Sequence, residues 1–262
     1  MTRRGRLVGV IHLPPLPGSP RASASCAEIA KAAARDAIAL SKAGYDLVIV
    51  ENFGDAPFFA GRVPAVVVSA MTACALAVRD ACPGLPVGIN VLRNDADAAL
   101  AIAASVGAAC IRVNVHTGAR VTDQGLIEGR AAETLRARHA LGALDVAIWA
   151  DVDVKHSAAL APRDVAHEAE DLVRRGLADA VLVTGDGTGR GVDLEQLRRV
   201  RSAVPGTEVL VASGVTAGAV GGLVGLCDGV IVGSALRAGG VAGGPIDPDR
   251  ASAFAASFRS VF

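Results

Sequence analysis

Short apolar runs rich in Val and Ile recur along the chain at intervals of roughly 25–40 residues, and helical patterns fill most of the gaps. The runs predict strands at Leu7–His12, Leu47–Asn52, Val87–Leu92, Cys110–Val115, Val146–Lys155, Ala180–Asp186, Val209–Ser213 and Gly229–Ser234. Intervening helices such as Cys26–Ala43 and Pro162–Arg175 are Ala-rich, with Arg, Asp and Glu at solvent spacing. Near-continuous apolar strands alternating with helices indicate a parallel sheet covered on its faces. Eight such units in about 250 residues fit an α/β fold of the (β/α)8 barrel type more economically than an open doubly wound sheet. No low-complexity linker divides the chain, so residues 1–262 are expected to form one barrel domain. The longest irregular stretches, Phe53–Arg62, His116–Gly129, Gly185–Gly191 and Gly239–Asp247, follow strands and belong at the C-terminal face, where barrel active sites are built.

Strand residues alternate between the barrel interior and the helix layer. In the fifth run, Ala150, Val152 and Val154 suit the helix layer, which turns Asp151, Asp153 and Lys155 inward. In the fourth, Ile111, Val113 and Val115 face out, while Arg112, Asn114 and His116 face in. The same alternation offers Thr184 and Asp186, Asn90, either Glu51 or Asn52, and His12 from four other strands. A buried ion-pair network bracing the mouth is the plain alternative, but buried charge seldom improves stability over an apolar core. So many charged groups aimed at one opening favour a site.

Residues two apart on a strand face lie roughly 6.5–7 Å apart. At an effective dielectric of about 20, a carboxylate at that distance favours an ammonium by about 2 kcal/mol. Asp153, with Asp151 beyond it, is therefore expected to keep Lys155 charged, unless desolvation reverses the balance. On that footing Lys155 is an electrostatic stabiliser or proton donor, with Glu51 or Asp151 as base. Covalent chemistry through a Schiff base comes second.

The last two strands end in Ala212-Ser213-Gly214-Val215 and Val232-Gly233-Ser234-Ala235-Leu236. Glycine lets backbone approach a ligand, and exposed N–H groups attract an anion. Ser213, Gly214, Gly233 and Ser234 are thus candidate phosphate-binding residues, at the place where barrels of this kind recurrently bind phosphate. Glycines serving tight turns alone are the alternative. Gly185–Gly191 lacks a P-loop ending and any Rossmann context, leaving a substrate-covering loop with Arg190 or a solvated turn. His139 and His167 read as surface residues; His12 and His156, at strand ends, are open between site and structural roles. Asp151, Asp153 and His156 are compatible with a divalent ion such as Mg2+, but no ligand spacing compels one, and no cofactor is required.

Composition narrows the partners. The 262 residues carry 26 basic and 26 acidic side chains, which argues against nucleic-acid binding. An aromatic content of 3% removes most stacking platforms for bases or sugar rings. Five scattered cysteines without a C-x-x-C suit reduced thiols, and Pro14, Pro15 and Pro17 interrupt the first apolar run before it could form a signal peptide or span. The expectation is a cytoplasmic protein without an integral membrane segment, its oligomeric state open, a homo-oligomer included.

Several segments together resemble the BtpA/SgcQ family. They are Gly9–Pro20 (GVIHLPPLPGSP), Val50–Phe58 (VENFGDAPF), Gly88–Asp95 (GINVLRND), Ile111–Val115 with Val121–Gly129, Asp151 with Val154-Lys155-His156, and Val232-Gly233-Ser234. The resemblance spans almost the whole chain and implies a phosphate-binding TIM barrel of the ribulose-phosphate-binding type. The family's cyanobacterial namesake is associated with accumulation of photosystem I as a peripheral thylakoid protein. Other relatives occur in non-photosynthetic bacteria and archaea, one of them beside sugar-uptake and sugar-phosphate genes.

The first expectation is an enzyme acting on a small phosphorylated metabolite by isomerisation, epimerisation or retro-aldol cleavage. Glu51, Asp151 and Lys155 would do the acid/base work, and Asn52, Asn90, Arg112 and Asn114 would orient hydroxyls or stabilise an oxyanion. A non-catalytic assembly factor for a membrane complex is the second expectation. Hydrolase or transferase chemistry on a nucleotide- or glycoside-phosphate is the third.

Overall fold

A computed structural model describes residues 4–161, 163–185 and 191–262. Eight parallel strands close into a barrel in the order β1 (Arg6–His12), β2 (Leu47–Glu51), β3 (Val87–Asn90), β4 (Cys110–Val113), β7 (Ala147–Val152), β9 (Ala180–Val183), β10 (Glu208–Val211) and β11 (Gly229–Val232). Helices α1 (Cys26–Lys42), α2 (Ala65–Ala81), α3 (Ala96–Val106), α4 (Ala131–Ala140), α5 (Val165–Arg174) and α6 (Leu194–Ala203) follow the first six barrel strands. A 3-10 turn, Val220–Leu223, takes the helix position after β10, and α7 (Pro248–Arg259) completes the ring after β11.

The expected (β/α)8 architecture is the observed one, but the strands stop earlier than their apolar runs. β7 ends at Val152 instead of Lys155, and β4 at Val113 instead of Val115. Alternation holds inside each strand: Val8, Val10, Leu47, Ile49, Cys110, Trp149, Ala180, Leu182, Leu210, Ala212 and Ile231 fill the bore as one cluster. The intervening strand residues join the larger cluster beneath the helices. At the N-terminal end Arg6 lies over the Trp149 ring, 5.7 Å from its centroid, and pairs with Glu208 at 2.6 Å. Apolar layers therefore fill the lower bore, and on β1, β2, β3, β4 and β7 a polar residue is the last to face inward.

Local signals fix the helix starts. Ser25 and Glu28 form a reciprocal capping box on α1, and Asp95, Asp164, Asp193 and Asp247 cap α3, α5, α6 and α7 through their side chains. Four of the five cysteines are buried and all are free thiols.

The stretch His116–Gly129 is not irregular, as its sequence suggested. It contains the hairpin β5 (Ala119–Thr122) and β6 (Gly125–Glu128), and β8 (Ser157–Ala159) adds to it antiparallel. Its turn is closed by the Thr122 hydroxyl, which donates to the Gly125 carbonyl at 2.9 Å and accepts from the Gln124 N–H at 3.1 Å. That bonding replaces the Asn-Gly or Asp-Gly pair that usually betrays a two-residue turn.

Candidate functional site

The last inward residues of β1 and β2 are His12 and Glu51, and both are buried. Between Glu51 and Asn52 the structure selects Glu51 for the bore. Asn52 instead ties two loops together: its Oδ1 accepts from the Leu92 N–H at 2.7 Å, and its Nδ2 donates to Asp55 at 3.1 Å. The Glu51 carboxylate accepts from Asn90 Nδ2 at 2.6 Å, and its other oxygen lies 3.7 Å from His12 Nε2.

His12 stacks on Phe53, ring centroids 4.2 Å apart, and its Nδ1 accepts from the Gly243 N–H at 3.1 Å. Burial first, then the cations Arg237, Lys155 and Arg112, hold its pKa well below the usual value. His12 is therefore neutral at pH 7. Because Nδ1 accepts, the ring proton resides on Nε2, facing Glu51 and Gly233.

Asp151 is placed differently from Glu51. Arg112 grips it through Nε and Nη2 at 3.1 and 3.0 Å, and Asn114 Nδ2 donates to it at 2.6 Å. Burial works against the Arg112 cation, but Asp151 and Glu51 outweigh it and raise its pKa. With three donors on one carboxylate, Asp151 is a fixed counter-charge for Arg112, whereas Glu51 has a neutral amide and a neutral imidazole as its neighbours. The outer amide oxygens of Asn90 and Asn114 are buried with no hydrogen-bond partner among the described residues.

Beyond β7 the expected alternation fails. Asp153 and His156 have positive φ, 47° and 57°, so the backbone turns and no longer alternates. Asp153 leaves the bore and is exposed, taking donors from Arg120 at 2.7 Å and from Gln196 at 3.0 Å. Arg120 also pairs with Glu168, which anchors the hairpin to α5. His156 is likewise exposed. His116, expected inward, donates from Nε2 to the Gly176 carbonyl (2.8 Å) and packs at the end of α5, because β4 has already ended.

Lys155 still enters the mouth. Its N–H donates to Thr184 Oγ1 at 3.1 Å, and its carbonyl accepts from Arg93 at 2.7 Å, so the backbone is held from both sides. Its pKa is lowered first by burial and then by Arg112, against the opposing pull of Glu51 and Asp151. Asp153, the nearer of the two carboxylates expected beside Lys155, has thus turned away, and burial works against the ammonium instead. Thr184 sits under the loop as a backbone clamp; Asp186 and Arg190 lie outside the described residues.

Ser213, Gly214, Gly233 and Ser234 line one cavity of about 140 Å³ together with His12, Glu51, Arg112 and Lys155. The backbone N–H groups of Gly214, Ser234 and Ala235 donate to no acceptor among the described residues. A Cβ at Gly233 would come within 3.2 Å of the His12 ring, so a larger residue there would need that ring to shift. A larger hollow of about 650 Å³ opens at the opposite end of the barrel. There Arg6 pairs with Glu208, Asp46 with Arg259, and Asp228 with Arg201. The C-terminal cavity is smaller, yet besides the paired Arg112 it holds Glu51 and Lys155, neither of which has an Arg, Lys, Asp or Glu ion-pair partner in contact among the described residues. Among the described residues, no three His, Cys, Asp or Glu side chains gather so as to hold a metal ion.

Three contributors escaped the sequence reading. Phe53 stacks on His12, Arg93 holds Lys155, and Arg237 is buried beneath the turn Gly233–Ser234. A cation inside Val232–Val241, immediately after the glycine-serine turn and among apolar residues, was the available signal for Arg237.

Fold and cavity together define a parallel (β/α)8 barrel with a charged and backbone-lined opening at the C-terminal ends of its strands. The chain belongs to the BtpA family, whose model matches residues 3–260. It is 47% identical over 248 residues to the photosystem I biogenesis protein BtpA of Synechocystis, covering 95% of this chain and 86% of that one. An uncharacterized protein of Pyrococcus furiosus is 44% identical, covering 94% and 91%. Among solved structures, the phosphoribosyl anthranilate isomerase of Thermus thermophilus superposes with a TM-score of 0.60 at 13% identity, over 98% of this chain and 100% of that one. The tryptophan synthase alpha chain of Legionella pneumophila gives 0.60 at 14%, over 99% and 92%. These two are similar in fold. No helix of the described residues is long and apolar enough to cross a membrane.

Proposed function

We propose that this chain is an enzyme that moves protons beside a carbonyl group of a small phosphorylated metabolite, from the adjacent carbon in isomerisation or epimerisation or from the β-hydroxyl in retro-aldol cleavage. One observation carries the reading. A single cavity joins unpaired backbone N–H groups suited to an anion, a buried carboxylate without a cationic partner in contact, and a desolvated lysine. In this reading Ser213, Gly214, Gly233 and Ser234 hold the phosphate. Glu51 takes the proton, since Asp151 is committed to Arg112 and Asn114. Lys155 and Arg112 stabilise the oxyanion that develops, and the Nε2–H of neutral His12 adds a donor. Asn90 and Asn114 fix the two carboxylates; Asp153, Asn52 and Thr184 fix the loops around them.

A covalent variant gains weight from the same geometry, because burial and Arg112 favour the neutral Lys155 amine and Asp153 no longer opposes them. Borohydride reduction in the presence of phosphorylated aldehydes and ketones separates the two. No adduct on Lys155 supports proton transfer alone; a stable adduct, located by peptide mass, replaces it with imine chemistry. The reading as a whole is tested by heat denaturation with inorganic phosphate and sugar phosphates. A rise in melting temperature that Ser213→Asp abolishes supports it, and no rise with any phosphorylated ligand sinks it.

The second reading is a role in assembling a membrane complex, favoured by the 47% identity to the photosystem I biogenesis protein. It leaves the polar cavity without a task. Survival of function in a Glu51→Gln, Lys155→Ala double variant, in a host that needs the protein, would favour it.

A further inference from the structure

The geometry points to Arg237 as the positioning residue that aims the Gly233–Ser234 peptide at a bound anion, an inference that rests on the phosphate site proposed above. Arg237 is 1% exposed, and among the described residues its guanidinium makes no ion pair, Asp36 and Glu51 acting on it only from a distance. It donates instead to three carbonyls: Gly233 at 2.6 Å, Val10 at 3.0 Å and Gly244 at 3.0 Å. These carbonyls belong to the end of β11, to the inner strand β1, and to the glycine-rich loop that follows.

The consequence comes from the planarity of the peptide unit. In a trans peptide the C=O of one residue and the N–H of the next point in opposite directions. Drawing the Gly233 carbonyl down onto Arg237 therefore turns the Ser234 N–H the other way, into the cavity that Gly233, Ser234 and Ala235 line. That N–H has no acceptor among the described residues, as expected of a donor held ready for a ligand. The cation also polarises the peptide, which strengthens its N–H as a donor.

Two further contacts make the arrangement rigid. The bond to Gly244 anchors one end of the loop whose Gly243 N–H fixes the His12 tautomer. Asp36 on α1 accepts from the Ile246 N–H at 3.0 Å and holds the other side of that loop. Burial lowers the Arg237 pKa to about 10, which still leaves a cation at neutral pH. Asp36 and Glu51 favour the cation from a distance, but its hydrogen bonds go to carbonyls and not to a paired carboxylate, so a place beneath a site for negative charge gives it a purpose that packing does not.

The test measures inorganic phosphate binding by titration calorimetry on the intact protein and on Arg237→Lys and Arg237→Met. We expect Arg237→Met to weaken phosphate binding by about tenfold or more, and Arg237→Lys to recover most of it, because an ammonium retains charge and donors. Equal affinity in wild type and a folded Arg237→Met overturns the inference while leaving the phosphate site intact. Absence of phosphate binding in the wild type overturns both. If Arg237→Met does not fold, amide spectra of the wild type decide. A downfield shift of the Ser234 amide proton on adding phosphate supports the arrangement, and an unmoved Ser234 amid other shifting amides refutes it.

Discussion

On one side of the barrel mouth, β2, β3, β4 and β7 present Glu51, Asn90, Arg112 and Asp151, charged or amide side chains paired as Glu51 with Asn90 and Arg112 with Asp151. On the other side, β10 and β11 present glycine, serine and bare backbone, with the supporting charge hidden below as Arg237. The first side controls charge by pairing it across strands. The second controls it by orienting peptide dipoles over a buried cation. The difference suits a ligand with two unlike ends, one needing an adaptable proton acceptor and the other a fixed anion cradle.

Within the charged side the two carboxylates invite a direct comparison, and Glu51→Gln should have the largest effect. On the proposed function, proton exchange from solvent deuterium into a turned-over sugar phosphate, followed by NMR, falls by about 10²–10⁴. Thermal stability should change little, since glutamine still accepts from Asn90. An unchanged exchange rate would remove Glu51 from the chemistry.

Asp151→Ala should act on stability instead. It strands the Arg112 guanidinium in a buried place and should cost about 3–5 kcal/mol in urea unfolding. A loss below about 1 kcal/mol would show that Arg112 finds another partner and that the comparison between the two carboxylates is misdrawn.

The backbone side is tested by ligand stabilisation. Phosphate at a hundred times its Kd should add about 2.7 kcal/mol to wild-type stability and nothing to Ser213→Asp, which sets a carboxylate against the anion. Equal stabilisation of both would place the phosphate elsewhere.

The smallest effect concerns pH. Burial depresses the pKa of His12 below its ordinary 6.5, so in acid the unfolded chain takes up a proton that the folded chain refuses. Stability conferred by the neutral ring is complete above pH 6.5 and is lost as pH falls below it, by at most about 1.4 kcal/mol per pH unit for one proton. His116, lowered for the same reason, contributes in the same direction. Stability curves between pH 7 and 5.5 should therefore be flatter in His12→Gln; identical slopes would mean that His12 takes up its proton without penalty.

The eight strands, the inward set Val8, Val10, Leu47, Ile49 and Leu182, and the inward placement of His12, Asn90, Arg112 and Asp151 were legible from alternation, whereas the choice of Glu51 over Asn52 was not. They lie within strands, where the pleat forces every second residue to the same face. Asp153 and His116, expected inward, turn away for the converse reason, since they lie beyond the last ladder bond, where the pleat no longer governs direction. The hairpin over the mouth was missed because its turn is made by a threonine hydroxyl instead of the usual residue pair.

By itself, then, the sequence determined the barrel, the end at which charge collects and the turns that carry free N–H groups, because periodicity and turn chemistry are local properties. Tertiary structure alone decided which carboxylate is held by a guanidinium, why Lys155 lost the nearer of its two expected counter-charges, and that Arg237 lies beneath the Gly233–Ser234 turn. Each of these depends on groups far apart in the chain, such as Val10 with Arg237 or Arg112 with Asp151. Their charges are governed by how much water the closed barrel excludes, and no local pattern records that.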